Sequence, residues 1–282
     1  MESSLFPVSI STCGSKQPGI AFPYHWHEHL EFLFITRGEG IITCNSDKYA
    51  VGKGDLVVVN SSEIHGGYSH HGSFTYYCVI VEPSILQGYS TGICEVKYLS
   101  PITRNQILFE NIIRNDKAVL QCFENMIDEY ERKDPGYELS IKSYIFQALS
   151  LLIRRHVKVT LTPAMYDKRR EALSRLSPVL TYIAENCTGK ITVAQLAKLV
   201  NLSIFHFSRL FKDLTDRTVI AYVNNIRIHK AVELLTKTEM SITDIALEAG
   251  FNDINYFSRL FKRHMKLSPQ AFRRAAQGRD VS

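Results

Sequence analysis

Phe207-Ser208-Arg209-Leu210-Phe211-Lys212 and Phe257-Ser258-Arg259-Leu260-Phe261-Lys262 are the same hexamer, about 50 residues apart. The repetition extends upstream, where Ile191-Thr192 to Leu196-Ala197 matches Ile242-Thr243 to Ile245-Ala246. Each copy reads as a short helix, a turn and a second helix that carries the hexamer. In the first copy Phe207, Leu210 and Phe211 fall at i, i+3, i+4 and form an inward stripe, while Phe205, Ser208, Arg209 and Lys212 share another face. In the second, Phe257, Leu260 and Phe261 turn inward. Asn255, Ser258, Arg259 and Lys262 turn outward, with Tyr256 at the edge. The outward set has the chemistry of a DNA reader. Arg binds guanine O6/N7 in bidentate fashion, Asn binds adenine, and an aromatic edge meets a thymine methyl. Lys212 and Lys262 lie later in their helices, where phosphates are the nearer partners. A lone Arg on a helix is ordinarily a solvated charge; here the whole hexamer recurs in matching contexts. Between the copies, Val219 to Thr236 reads as one helix about 27 Å long, which spaces the two units by close to one DNA turn of about 34 Å.

Charge is distributed accordingly. Of 33 Lys+Arg and 28 Asp+Glu, 16 and 9 lie from Arg175 onward, a net +7, which leaves −2 for the rest. A basic half beside a slightly acidic one marks the basic half as the polyanion binder. No apolar run approaches the ~20 residues that a spanning helix needs. Met1-Glu2-Ser3-Ser4 has no basic or apolar leader character, so a cytoplasmic protein without membrane association is expected. Cys13, Cys44, Cys78, Cys94, Cys122 and Cys187 are scattered without a CxxC pair, which fits reduced, mostly buried thiols.

The pattern divides the chain in four. Residues 1–102 carry short Val/Ile/Phe/Tyr/Thr-rich runs, at Leu30–Thr36, Gly40–Cys44, Asp55–Val59 and Tyr76–Val81, between Gly, Asn, Asp and Ser; a small sandwich or barrel is expected. Residues 103–157 change to a helical period. Ile107, Leu108, Ile112 and Ile113 form one stripe, and Leu120, Phe123, Ile127 and Tyr130 the next. After Asp134-Pro135-Gly136 a third runs through Leu139, Tyr144, Ile145, Leu149, Leu152 and Ile153. This helical pair either packs on its own barrel or forms an antiparallel dimer interface. Residues 158–174, polar and basic with Pro163, read as a linker. Residues 175–282 are helical, with helix-turn-helix units at 192–214 and 243–264. The fold class is thus α+β and multidomain. Thr192 with Gln195 forms a capping-box pattern, and Ser268-Pro269 starts a last short helix.

From Leu176 to Arg273 the chain closely resembles the AraC/XylS family of transcriptional regulators. The resemblance rests on Leu196-Ala197, Ser203, both hexamers, Arg227, Ala231, Leu234-Leu235, Ile242 to Ala246, Gly250-Phe251-x-Asp253-x-x-Tyr256-Phe257 and Ser268-Pro269. Asp216 and Lys266 stand where that family usually has Gly, and Asn201 stands at the first turn where the second has Gly250. In the N-terminal segment Gly19, His25, His27, Glu31 and Gly38 reproduce the first cupin motif. Gly54-Asp55 and His65 give a partial second motif, with Asn60 in place of the usual Pro. A cupin-like barrel is therefore implied. His25, His27 and Glu31 share parity, so an extended strand would turn them to one face. With His65 they match the three-His, one-carboxylate set of metal-binding cupins, a donor set suited to Zn, Fe, Mn or Ni.

Three roles stay open for that barrel site: an organic-effector pocket with Tyr24, His25, His27, Glu31 and His65 as candidate residues, a divalent transition metal on His25, His27, Glu31 and His65, or packing alone. Trp26, Tyr24, Tyr76 and Tyr77 are candidate sugar-stacking rings, though aromatics in barrels are more often core; His29, His70 and His71 read as surface or loop residues. The expected protein is a sequence-specific regulator of transcription, an activator by family resemblance, that binds double-stranded promoter DNA as a homodimer. It would answer a small-molecule effector such as a sugar and contact RNA polymerase. The competing readings are a metal-dependent cupin enzyme fused to a DNA reader, and a constitutive DNA binder whose barrel serves only dimerisation.

Overall fold

The structure is a computed structural model that describes residues 6–15, 19–45, 47–69, 73–86, 93–215 and 217–276. Its N-terminal half is built on strands β1 (Val8–Ser15), β2 (Gly19–His25), β3 (Leu30–Arg37), β4 (Glu39–Cys44), β5 (Asp47–Gly52), β6 (Leu56–Val59), β7 (His65–Ser69), β8 (Phe74–Val81), β9 (Ile107–Phe109), β10 (Ile112–Ile113) and β11 (Val157–Thr160). One sheet runs β1-β8-β3-β6-β10, a second β2-β7-β4-β5, and β11 pairs with β9. All the pairings are antiparallel.

Strand β3 shows why the sequence folds this way. Its residues from Leu30 to Ile35 are all buried, as expected of a strand covered on both faces. Alternation sends Leu33 and Ile35 into a core with Ile42, Val51, Val57, Phe74 and Tyr76, which lies between the two sheets. Leu30, Phe32 and Phe34 face the other way, into a core shared with α2 (Lys117–Arg132) and α3 (Tyr137–Arg155) through Phe123, Met126, Ile145 and Leu149. The helical pair therefore packs on its own barrel. Asp116 caps α2 by accepting from the Val119 amide, and it binds Arg155 and His156 at the end of α3.

Two expectations need correction. The stripe Ile107, Leu108, Ile112, Ile113 is not helical but forms β9 and β10. Asn105 and Asn115 take left-handed backbone at φ 55° and 60° on either side, and strand partners satisfy the amides between them. Asn60 explains part of this. Its side chain accepts from the Phe109 amide (2.7 Å) and donates to the Phe109 carbonyl (3.0 Å), so the residue replacing Pro clamps β9. The stretch 158–174, read as a linker, is instead the end of β11 and the first half of α4 (Pro163–Asn186). This helix starts at a Thr162 cap and continues through Pro178 into the C-terminal half.

The C-terminal half comprises the rest of α4 with α5 (Val193–Leu199), α6 (Ile204–Thr215), α7 (Val219–Lys237), α8 (Ile242–Glu248), α9 (Ile254–Met265) and α10 (Pro269–Ala276). Ser, Thr and Asp caps set the starts. Thr192, Ser203, Thr218, Ser241, Asp253 and Ser268 each accept from an amide in the first turn that follows. The capping box at Thr192 is half formed, because the Gln195 side chain donates to the Tyr182 hydroxyl rather than back to the cap. Phe207 and Phe211 fill one helical core and Phe257 and Phe261 the other, as their spacing predicts. Asn201 adopts φ 54° where Gly250 adopts 91°, so an Asn serves the first turn. Lys266 ends α9 in left-handed backbone, with its amide on the Lys262 carbonyl. Asp216 lies outside the described residues.

Candidate functional site

On α6, Phe205, Arg209 and Lys212 are exposed and Ser208 is half-buried; on α9, Asn255, Tyr256, Arg259 and Lys262 are exposed and Ser258 is half-buried. Each set lies opposite a stripe buried in its own core. Phe205 is 79% exposed, so its ring gains nothing from burial in its own helical core. The two faces are not identical in detail. Arg209 lies 3.9 Å from Asp213 on its own helix. Arg259 rests over the Tyr256 ring at 5.8 Å, and Asn224 of the spacer holds the Tyr256 hydroxyl at 2.8 Å. Asp213 and Asn224 escape sequence reasoning because nothing in their spacing announces them.

Spacer helix α7 is tied to both units. Arg227 donates to the Cys187 and Gly189 carbonyls at 2.7 and 2.8 Å and lies over the Phe251 ring. Gly250 must be glycine on two counts: its φ is positive, and a Cβ there would sit 2.7 Å from the Thr188 carbonyl oxygen.

In the barrel the four predicted residues meet. His25, His27, Glu31 and His65 each offer a ligand atom, all within 4.8 Å of one another. A single extended strand does not gather them. His25 ends β2, His27 lies in the connection to β3, Glu31 lies on β3, and His65 opens β7 directly across from His25. Glu31 Oε2 lies 2.8 Å from both His27 Nε2 and His65 Nε2, and Cys78 Sγ donates to Glu31 Oε1 at 2.9 Å. Burial alone would raise the Glu31 carboxyl, but the His27, His65 and Cys78 contacts outweigh it and hold the group well below the usual carboxylate range. Burial and the neighbouring carboxylate push the Cys78 thiol up, so it stays a protonated donor. Phe22 covers the cluster, 6.0 Å from both His25 and His65, and Gly67 leaves room for its ring. Tyr76 is core, Tyr77 binds Glu131 of α2, and Trp26 points elsewhere. The His29 ring lies 5.6 Å from that of His27. The Tyr24 side chain, His70 and His71 lie outside the described residues. The six cysteines are free thiols.

Comparison with known proteins fits both halves. The AraC-like ligand binding domain matches residues 10–149, and a helix-turn-helix domain matches residues 196–275. The chain belongs to the AraC/XylS family. Similar curated proteins include an uncharacterized HTH-type transcriptional regulator, YdeC of Bacillus subtilis, 28% identical over 89% of this chain and 86% of its own. The HTH-type transcriptional activator RhaS of Enterobacter sp. is 27% identical over 98% and 94%. Among solved structures, ToxT of Vibrio cholerae with bound unsaturated fatty acid aligns over 99% of both chains at 15% identity and a TM-score of 0.49. The chain is thus an AraC-type DNA-binding transcriptional regulator with a ligand-binding domain, not an enzyme, and the fused-enzyme reading falls. No helix among the described residues is long and apolar enough to cross a membrane.

In this AraC-type chain the barrel and the DNA-binding half touch through the strand that carries His65. Side chains alternate along β7, so His65 faces the cluster while its neighbours face outward. Ile64 and Trp26 pack with Leu176, Leu196, Phe207 and Phe211 in the core of the first unit. Tyr68 packs with Ile228, Val232 and Phe261 in that of the second, its hydroxyl 3.5 Å from the His264 carbonyl. Nearby on α7, His229 is buried, and burial, His264, Arg217 and the barrel's Lys48 together lower it to about 3. Burial first, then Lys48 and Arg217, lowers His264 to about 4. Sequence reasoning missed Ile64, Tyr68 and His229, because an apolar residue on a barrel strand or a helix reads as ordinary core.

Proposed function

We propose that the chain is an activator of transcription that binds promoter DNA through Phe205, Ser208, Arg209, Lys212, Asn255, Tyr256, Ser258, Arg259 and Lys262, under the control of a small molecule in the cupin-like barrel. The observation that carries the regulatory part is the position of β7, with His65 in the cluster and Ile64 and Tyr68 in the cores of the two helix-turn-helix units. An effector that displaces β7 alters packing beneath both recognition helices, and it shifts the equilibrium by the difference in its affinity for the two arrangements. His25, His27, Glu31 and His65, together with Tyr24 as a candidate from the sequence, supply donors and acceptors for a polyhydroxylated ligand such as a sugar. The activating sign follows RhaS, a transcriptional activator to which the chain is similar over nearly its whole length. Homodimerisation, contact with RNA polymerase and a cytoplasmic location complete the reading. The effector barrel is assigned to residues 1–102 together with β10, which completes its five-stranded sheet, and the DNA-binding domain to residues 175–282.

The direct test is substitution on the recognition face. Arg209→Ala and Arg259→Ala are each expected to weaken specific binding by about 1–3 kcal/mol, relax one position of the site and leave random-DNA affinity nearly unchanged. Equal losses on specific and random DNA would place both side chains on phosphate and refute the groove assignment.

A further inference from the structure

The geometry points to Asn224, on the spacer helix α7, as a positioning residue for base readout by the second unit: it fixes the Tyr256 ring on which Arg259 stands, so that the guanidinium meets DNA already ordered. This rests on the reading that Arg259 enters the groove, and it adds a residue too buried to meet a base itself. Asn224 lies on α7 among neighbours that fill the two helical cores. A buried amide is costly without a hydrogen-bond partner, and a partner inside the scaffold would only hold the fold. Asn224 Nδ2 donates instead to the Tyr256 hydroxyl at 2.8 Å, on a side chain of α9 that is 37% exposed.

A second contact steadies the same ring. Phe251 lies 6.3 Å from it, centroid to centroid, and Arg227 of α7 lies over Phe251 at 5.8 Å. Arg259 in turn lies over the Tyr256 ring at 5.8 Å. A cation over an aromatic ring is attracted by the ring's quadrupole. A side chain confined in this way loses less rotamer freedom when it closes on a guanine edge. Fixing the ring therefore fixes where the guanidinium starts. The first unit is an internal control. It carries the same hexamer, but His206 stands where the second unit has Tyr256. His206 is exposed, and Arg209 leans 3.9 Å from Asp213, a solvated pairing of little strength. At the position matching Asp213 the second unit has Arg263. Identical hexamers thus hold their arginines on different supports, and the aromatic support is the one tied to the spacer.

The test uses full-length protein and a labelled duplex that the wild type selects from a random pool. Anisotropy at one salt concentration is read on that duplex, on its single-base variants and on random DNA. Arg259→Ala first identifies the base pair that Arg259 reads. Asn224→Ala is expected to weaken binding to the selected duplex about three- to tenfold, to relax discrimination at that same base pair, and to leave random-DNA affinity within about twofold. Tyr256→Phe keeps the ring and removes only the hydroxyl, so it serves as the second variant should Asn224→Ala lose its fold. It should relax the same base pair, and the double substitution should lose no more than the larger single loss. Equal loss on every DNA, or unchanged discrimination at that base pair in either variant, would overturn the positioning role while the groove reading stands. An additive loss in the double variant would overturn it as well. If Arg259→Ala itself weakens selected and random DNA alike, the groove reading fails and the positioning role falls with it.

Discussion

Buried His229 makes the stability of this chain steeply dependent on acid in a predictable window. In the folded protein burial, His264, Arg217 and Lys48 hold it at about 3, against an ordinary 6.5 in the unfolded chain. Above pH 6.5 the ring is neutral in both states and exerts no pH-dependent pull. As the pH falls below 6.5 the unfolded chain takes up a proton that the folded chain refuses, so folding loses about 1.4 kcal/mol per pH unit until the pH nears the folded value. Between pH 8 and pH 5 the loss from this residue is about 2 kcal/mol. The assay is urea unfolding of the full chain at the two pH values, followed by emission of Trp26, the single tryptophan, which packs against the first helix-turn-helix core. His229→Gln removes the titration but leaves His264 and the barrel histidines in place. Its stability at pH 8 is lower by a fixed amount, and the gap to wild type should narrow by about 2 kcal/mol at pH 5. A gap that stays constant would show that His229 is not held neutral, and would refute the buried contact between α7 and the barrel.

Two further outcomes follow from packing. Phe207→Ala should cost about 3–5 kcal/mol of stability, whereas Phe205→Ala, two residues away on the exposed face, should change stability by no more than about 0.5 kcal/mol and still weaken DNA binding; thermal melts and anisotropy separate the two effects. Gly250→Ala should destabilise the second unit by more than about 1 kcal/mol, since it combines a positive φ with a Cβ 2.7 Å from the Thr188 carbonyl; a melt unchanged from wild type would show that the turn relaxes freely.

How much was legible varied along the chain with the range of the interactions involved. The helix-turn-helix units were readable because capping residues, the inward Phe/Leu stripe and the outward Arg/Lys stripe are local signals, and each occurs twice. The barrel cluster was readable as a set, since His25, His27, Glu31 and His65 do converge. The reason given for it was incomplete, because a strand crossing and a connection bring them together rather than one strand's parity. The segment Ile107–Ile113 was misread as helix because adjacent apolar residues satisfy either period, and only pairing with β6 and β11 decides between them. The basic stretch after Lys158 looked like a linker because none of the described side chains of α4 before Leu176 is buried. Ile64 and Tyr68 were illegible because nothing in a strand's own sequence shows that its outer face is covered by another part of the chain.

The central claim is that a ligand in the barrel is felt at the DNA through β7. The most direct measurement is anisotropy of labelled upstream DNA with wild-type protein and Tyr68→Ala, each titrated with a panel of sugars and small acids, while titration calorimetry reports compound binding. The account predicts that one compound shifts wild-type DNA affinity about 5- to 150-fold, the usual range of coupling between two sites. In Tyr68→Ala the same compound should still bind but leave DNA affinity unmoved. A full shift in the variant, or a compound that fills the wild-type barrel without changing DNA affinity, would contradict it.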